Sequence, residues 1–395
     1  MNRSQCNPTR QQGAVLLLLM LILLVGLLGA FIGSPGVAYW LGQDQNAMRK
    51  AVSLRALGQA RKGLLGFAAF STVTGRGPGF LPCPDLDGDG GAEPSCGGTP
   101  APVGFLPWKT LGLPPLKDGW GQPLWYALSA NLRPSPAIAA LNSDSDDYPF
   151  LRIAGDPSDQ VVVLLAPGPA RPGQDRGRND PRDWLELENA DRDVVFRRLE
   201  ERAGGNDQVL GVRKSQWARV VEVRVLSDVA ALLEAYHRAC GQLPWAVSFD
   251  GRAVALKAEP ARREGLLPLD RASDADGKLQ GDWGQDCGNG VVAPIPPAWI
   301  KNEGWGNLLM YAAAEPFVDG GSGACAGNCL SIDGESGIPG LLMAPGVDAT
   351  GHRPSSNPGD YFEGENALAG DDRFHQGPVT NGFDDRVRRL ELASP

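Results

Sequence analysis

The chain opens with a short polar stretch that carries Arg3 and Arg10 and no acid, and then runs apolar without a break from Ala14 to Gly33 (AVLLLLMLILLVGLLGAFIG), 20 residues with no charge. At 1.5 Å rise per residue a helix of this length crosses roughly 30 Å of hydrocarbon. No charged residue appears until Asp44, and Arg49 and Lys50 come after it. The positive-inside bias therefore keeps the N-terminus cytoplasmic and exports the body. A cleaved secretory signal is the competing reading, since Gly33, Ser34, Gly36 and Ala38 suit a signal peptidase. Its apolar region usually runs only about 7–15 residues, shorter than this one.

Further along, Ala47 to Phe70 places Val52, Leu54, Leu57, Leu64, Leu65 and Phe67 at near-helical spacing, and Val221 to Tyr236 does the same with Val225, Val229, Leu232 and Leu233. Both stretches are expected to be helices. Between and after them the sequence is rich in Gly and Pro with short apolar runs such as Val161 to Leu165, a pattern of short strands joined by turns. The expected class is α+β.

The body also matches itself. Asp118 to Ala127 (DGWGQPLWYA) aligns with Glu303 to Ala312 (EGWGNLLMYA), Leu164 to Gly168 (LLAPG) with Leu342 to Gly346 (LMAPG), and Pro181 to Ala190 (PRDWLELENA) with Pro358 to Ala367 (PGDYFEGENA). The offsets are 185, 178 and 177, so the blocks are collinear. Weaker matches set Leu81-Pro82-Cys83 beside Leu243-Pro244-Trp245 and Asn206-Asp207-Gln208-Val209 beside Asp384-Asp385-Arg386-Val387. A divergent duplication explains this order. It suggests a transmembrane helix over residues 14–43 and two α+β repeats over 44–215 and 216–395, a division that fits a body of this length.

Gln11-Gln12-Gly13 followed at once by the apolar run resembles the leader of a type IV pilin or type II secretion pseudopilin. The resemblance implies a leader over residues 1–13, cleavage between Gly13 and Ala14 by a prepilin peptidase, and assembly with other pilin or pseudopilin subunits. Pro35 stands where many pilins carry a helix-loosening proline. Pilins usually have an aromatic residue first and Glu fifth after the cut, where this chain has Ala14 and Leu18. A missing glutamate is similar to the large tip pseudopilin, whose size this chain also suits. By the same analogy the repeats would be pilin-head-like units.

Charge narrows the partners. A net charge of −9 and a pI near 5.0 speak against nucleic acid, whose binding rests on clustered Lys and Arg. Beyond Cys6, six cysteines lie in the exported body, Cys83, Cys96, Cys240, Cys287, Cys325 and Cys329, as disulfides in an oxidising compartment require. Short loops favour Cys83–Cys96 and Cys325–Cys329, leaving Cys240–Cys287 by elimination. Zinc is disfavoured because Cys325-x-x-x-Cys329 has no second close pair.

The sharpest chemical motif is Asp85 to Glu93 (DLDGDGGAE), where Asp85, Asp87 and Asp89 alternate as at the start of an EF-hand loop. Position twelve is Cys96 instead of Glu, so Glu93 would have to close a shorter calcium loop, and Asp274 and Asp276 form a poorer second version. Catalysis finds little support. His237, His352 and His375 lie in no recognisable metal or nucleophile motif. Asp183, Glu186 and Glu188 recur as Asp360, Glu363 and Glu365, a repetition that fits turns better than a glycosidase pair. The tryptophans Trp120, Trp125 and Trp305 read as core. The resulting expectation is a structural, non-enzymatic pilin-like or pseudopilin-like protein, a single-pass inner-membrane protein with its body in the periplasm. The alternative is a membrane-anchored or signal-cleaved periplasmic binding module, for example one for glycan.

Overall fold

The computed structural model describes residues 17–25, 35–70, 75–97, 101–134, 141–198, 204–249, 258–269, 283–284, 286–288, 290–348, 351–367, 370–378, 380 and 383–392. Of the apolar run, residues 17–25 are helical and exposed. The rest of it, the leader, Gly13, Ala14, Asp274 and Asp276 lie outside the described residues. Among the described residues no helix is long and apolar enough to cross a membrane.

The long helix α1 spans Pro35–Phe70. It therefore runs through residues 43 and 44. The buried face of α1 is alanine-rich, with Ala56, Leu57, Ala60, Leu64 and Ala68 each 5 % exposed or less. Val52 and Leu54 face outward, and the small residues on the opposite face let the helix approach its neighbours closely. Gly63 marks that approach: a Cβ there would lie 2.6 Å from Leu113 Cδ1.

After α1 come β1 (Val103–Phe105), β2 (Trp125–Leu128), the short β3 (Arg152–Ile153), β4 (Gln160–Ala166), β5 (Val195–Phe196) and β6 (Gln208–Arg213). β1, β2, β4 and β6 form an antiparallel sheet in that order, and β3 pairs with β5 in parallel. Every residue of β4 is buried. Alternation assigns Val162, Leu164 and Ala166 to the core beneath the helices, and Val163 and Leu165 to a second cluster with Phe105, Trp125 and Trp184. The Phe105 and Trp125 rings sit 4.4 Å apart, a contact worth about 1 kcal/mol beyond area burial.

The helix α2 (Lys214–Cys240) follows, closed by Gly241 in the left-handed conformation, whose N–H donates to His237 O at 2.8 Å. It starts at Lys214, so the expected division at 215/216 falls in its first turn. Then come β7 (Glu264–Leu266), the short α3 (Ala298–Asn302), β8 (Met310–Ala313), β9 (Leu330–Ile332), β10 (Glu335–Ile338), β11 (Gly340–Ala344), β12 (Arg373–Phe374) and β13 (Arg386–Arg389). The class is α+β, mixed helix and sheet.

The second sheet, β7-β8-β11-β13, is antiparallel like the first, and β9 and β12 pair in parallel as β3 and β5 do. Register agrees too: Tyr126 faces Leu164 and Tyr311 faces Leu342. Tyr126 Oη donates to Pro82 O at 3.0 Å and Tyr311 Oη to Pro244 O at 2.9 Å.

One continuous core draws on both stretches, from Leu57, Tyr126 and Leu164 through Trp217, Val225 and Leu233 to Tyr311, Leu342 and Tyr361. Polar clasps join the same stretches. Glu303, 1 % exposed, pairs with Arg76 and accepts from Leu141 N at 2.7 Å, while its own carbonyl accepts from Asn142 Nδ2 at 2.7 Å. Arg353 Nη1 reaches Asp144 Oδ1 at 3.1 Å. Disulfides join Cys83 to Cys96 and Cys325 to Cys329, the pairs that loop length favours, and Cys240 to Cys287, the pair left by elimination.

Candidate functional site

The acidic loop hangs from β1. Asp85 and Phe105 exchange backbone hydrogen bonds of 3.0 and 2.8 Å, and the Cys83–Cys96 bridge closes the loop behind them. Asp85, 1 % exposed, accepts from Gly88 N at 2.7 Å and Gly90 N at 2.8 Å, one bond on each carboxylate oxygen. Asp87 and Asp89 accept from the amides two residues on, Asp89 N at 3.0 Å and Gly91 N at 2.5 Å. These Asx-type bonds and the positive φ of Gly88 (83°) and Gly90 (88°) curl the chain. Gly90 has no room for a side chain, since a Cβ would meet the Trp108 indole at 2.5 Å.

Oxygens of Asp85, Asp87 and Asp89 consequently come within 4.8 Å of one another, a set able to hold a metal ion. Glu93 is not one of the three. Its Oε1 accepts from Leu86 N at 3.1 Å. Burial pushes the Asp85 carboxyl above its ordinary range, against the pull of the two glycine amides, and the charge of Asp87 adds to the rise. Beside the loop a cleft of about 450 Å³ is floored by Phe105, Leu106, Leu116 and Leu124 and walled by Trp108, with Lys117 at its edge.

A second acidic set, Glu363, Asp384 and Asp385, also has oxygens within 4.8 Å of one another. Sequence reading singled out Glu363 only as a repeated acid, because 21 residues separate it from Asp384. The fold closes that gap: Asp384 N donates to Glu363 Oε2 at 3.3 Å, and Asp385 Oδ2 accepts from Glu363 N at 3.1 Å and Asn366 Nδ2 at 2.8 Å. The other stretch holds the same arrangement, with Asn206 N to Glu186 Oε2 at 2.9 Å and Asp207 Oδ2 accepting from Glu186 N at 3.0 Å and Asn189 Nδ2 at 3.1 Å. There Asn206 stands where Asp384 stands, and no third carboxylate completes the set.

The surroundings of several buried acids shift them toward the protonated form. Burial raises Asp385 to about 8, countered by Asn366 and reinforced by the Glu363 charge. Asp207 is pushed well above the ordinary range for the same causes, burial first and Glu186 second. Glu222, on the buried side of α2, bonds Ser143 Oγ with one oxygen and leaves the other without a partner. Burial lifts it from 4.5 to about 7 although Ser143, Arg386 and Arg353 pull it down.

Other singled-out residues serve packing. His237 is 7 % exposed and lies 6.0 Å from the Phe317 ring. Trp125 and Trp305 are fully buried, whereas Trp120 is half-exposed. Asp183 Oδ1 accepts from Asp175 N at 3.2 Å, a turn contact.

Comparison with protein-family models, curated proteins and solved structures finds no match to this chain.

The buried acids set a pH dependence. A carboxyl whose folded pKa lies above its unfolded value stabilises the fold fully below the unfolded value and loses that contribution as pH rises through the folded one. For Glu222, moving from 4.5 to about 7, this is about 3 kcal/mol. Chemical denaturation should show stability falling between pH 5 and pH 9, and Glu222→Gln, which keeps a neutral group at that place, should flatten the fall. An equal fall in the variant would remove Glu222 from the account.

Proposed function

We propose that the protein is a structural, non-enzymatic, pilin-like or pseudopilin-like envelope protein, anchored by the apolar run that begins at Ala14 and carrying its body outside the cytoplasm. One observation carries the reading: a long helix follows the apolar run in the chain and lays its second half against an antiparallel sheet. In α1 the residues 45–50 are exposed and the face from Ala56 to Ala68 is buried. A helix built this way has one part free for other contacts and one part fixed to its head.

The body is read as two copies of one unit. The collinear sequence blocks support this, as do the equal strand orders, the equal tyrosine hydrogen bonds and the repeated Glu–Asp–Asn knot. In this reading α1 serves the first copy and α2 the second. Partners would be a prepilin peptidase, other pilin or pseudopilin subunits and the membrane. The metal of the loop at Asp85, Asp87 and Asp89 is read as calcium, since the available ligands are hard carboxylate oxygens on a tight glycine-rich turn. The aromatic cleft beside the loop is what favours the second reading, a periplasmic binding module.

Protein extracted from membranes should begin at Ala14 by N-terminal sequencing, and Gly13→Ala should remain unprocessed. A start near Tyr39 would replace the reading with a secretory signal.

Calcium should raise the melting temperature of the full chain relative to EGTA, by an amount equivalent to roughly 2.7 kcal/mol at a hundredfold excess over its dissociation constant. Asp87→Asn should lose most of that shift. A wild-type protein that melts identically in both conditions has no calcium site.

A further inference from the structure

Between α2 and β13 lies a cleft of about 350 Å³, bordered by Arg219, Val223 and Ser227 of the helix, by Arg386 and Arg388 of the strand, and by the turn at residues 376–378. Three guanidinium groups gather here in a chain whose net charge is −9. Among the described residues none of the three side chains forms an ion pair or a hydrogen bond. Arg386 Nε is buried without an acceptor. Burial lowers the Arg386 pKa, and the nearby charge of Arg219 lowers it further, against the acids Glu222, Asp384 and Asp385. Asp385 also lines the cleft; its Oδ2 accepts from Glu363 N and Asn366 Nδ2, while its Oδ1 is buried without a hydrogen-bond partner.

Arg219 and Arg386 repel one another, and since neither guanidinium has a hydrogen-bonded carboxylate, an anion placed between them would satisfy donors that the nearby acids do not reach. A guanidinium presents its donors as a planar fork that fits a carboxylate with two parallel bonds. The cleft is not uniformly polar. Val223 is 55 % exposed at its rim, and Leu226 and Val387 complete an apolar wall. The cleft between α1 and β6, about 230 Å³, is lined by Asn46, Lys50, Asn206, Asp207 and Gln208, with Gln208 at the place that the matching blocks give Arg386 and no guanidinium among its lining residues.

We propose that the cleft between α2 and β13 binds an organic carboxylate with an apolar stem, the carboxylate between Arg219 and Arg386 and the stem along Val223 and Leu226. The cleft between α1 and β6, with no guanidinium, does not. This binding depends neither on the pilin-like reading nor on calcium.

The test is ligand-observed NMR on the full chain in non-ionic detergent, with adipate as the probe at fixed ionic strength and inorganic phosphate as competitor. Adipate should bind and resist displacement by equimolar phosphate. Arg219→Asn with Arg386→Gln, which replaces both guanidiniums with amides, should weaken binding about tenfold or more, the loss of roughly 1.4 kcal/mol or more of charge-assisted contact. Arg219→Asn alone changes only an exposed helix position, so it reports on the site even if the double variant fails to fold, and it should weaken binding in the same direction. Lys50→Gln should have no effect. Absence of adipate binding, unchanged binding in Arg219→Asn, or full displacement by equimolar phosphate would each overturn the proposal.

Discussion

The structure depends on the burial of one helix on several sides at once. Trp217, Val221, Val225, Leu226, Val229, Leu233 and Tyr236 of α2 are each 2 % exposed or less, and their neighbours come from both four-stranded sheets and from α1. Trp217 Nε1 adds a hydrogen bond of 2.8 Å to Gly79 O, in the segment after α1. Fully burying an aliphatic or aromatic side chain contributes about 1.5–3 kcal/mol. Seven such side chains on one helix outweigh any single polar contact in the molecule. α2 covers the second sheet and also meets the first, which α1 covers, so whatever the origin of the two stretches, they are packed as one body.

That packing carries a polar cost on the helix itself. Glu222 lies on the same side of α2 as Val221 and Val225, where an ionised carboxylate would be strongly disfavoured. Its position between Ser143, Arg353 and Arg386 and its pKa of about 7 are two consequences of the same burial. The seam is therefore apolar in bulk and polar at a few fixed points: Glu303 with Arg76 and Asn142, Arg353 with Asp144, Glu222 with Ser143. Such points add little net energy but define which loop meets which strand.

Much of this was legible in the sequence wherever the information is local. The two helices appear as periodic apolar runs, the strand Gln160–Ala166 contains the VVVLL run, and the matching blocks fall on residues with the same strand register. What escaped depends on distance along the chain. The alanine-rich face of α1 was hidden because Ala56, Ala60 and Ala68 count for little on a hydropathy scale yet allow the closest packing. The acidic set of Glu363, Asp384 and Asp385 and the arginine cleft between α2 and β13 join residues that only the fold brings together. Glu93 accepts from the amide of Leu86 with one oxygen, a contact that the spacing of acids along the loop does not announce.

The shared core makes a claim that one measurement tests directly. Hydrogen exchange of the full chain, followed by mass spectrometry in rising denaturant, reads the opening free energy of β4 (Gln160–Ala166) and β11 (Gly340–Ala344) separately. If α2 binds both sheets into one cooperative unit, the two strands lose protection together, with equal opening free energies and equal dependence on denaturant. If β11 opens at a lower denaturant concentration while β4 stays protected, the sheets are independent domains and the central role assigned to α2 is wrong.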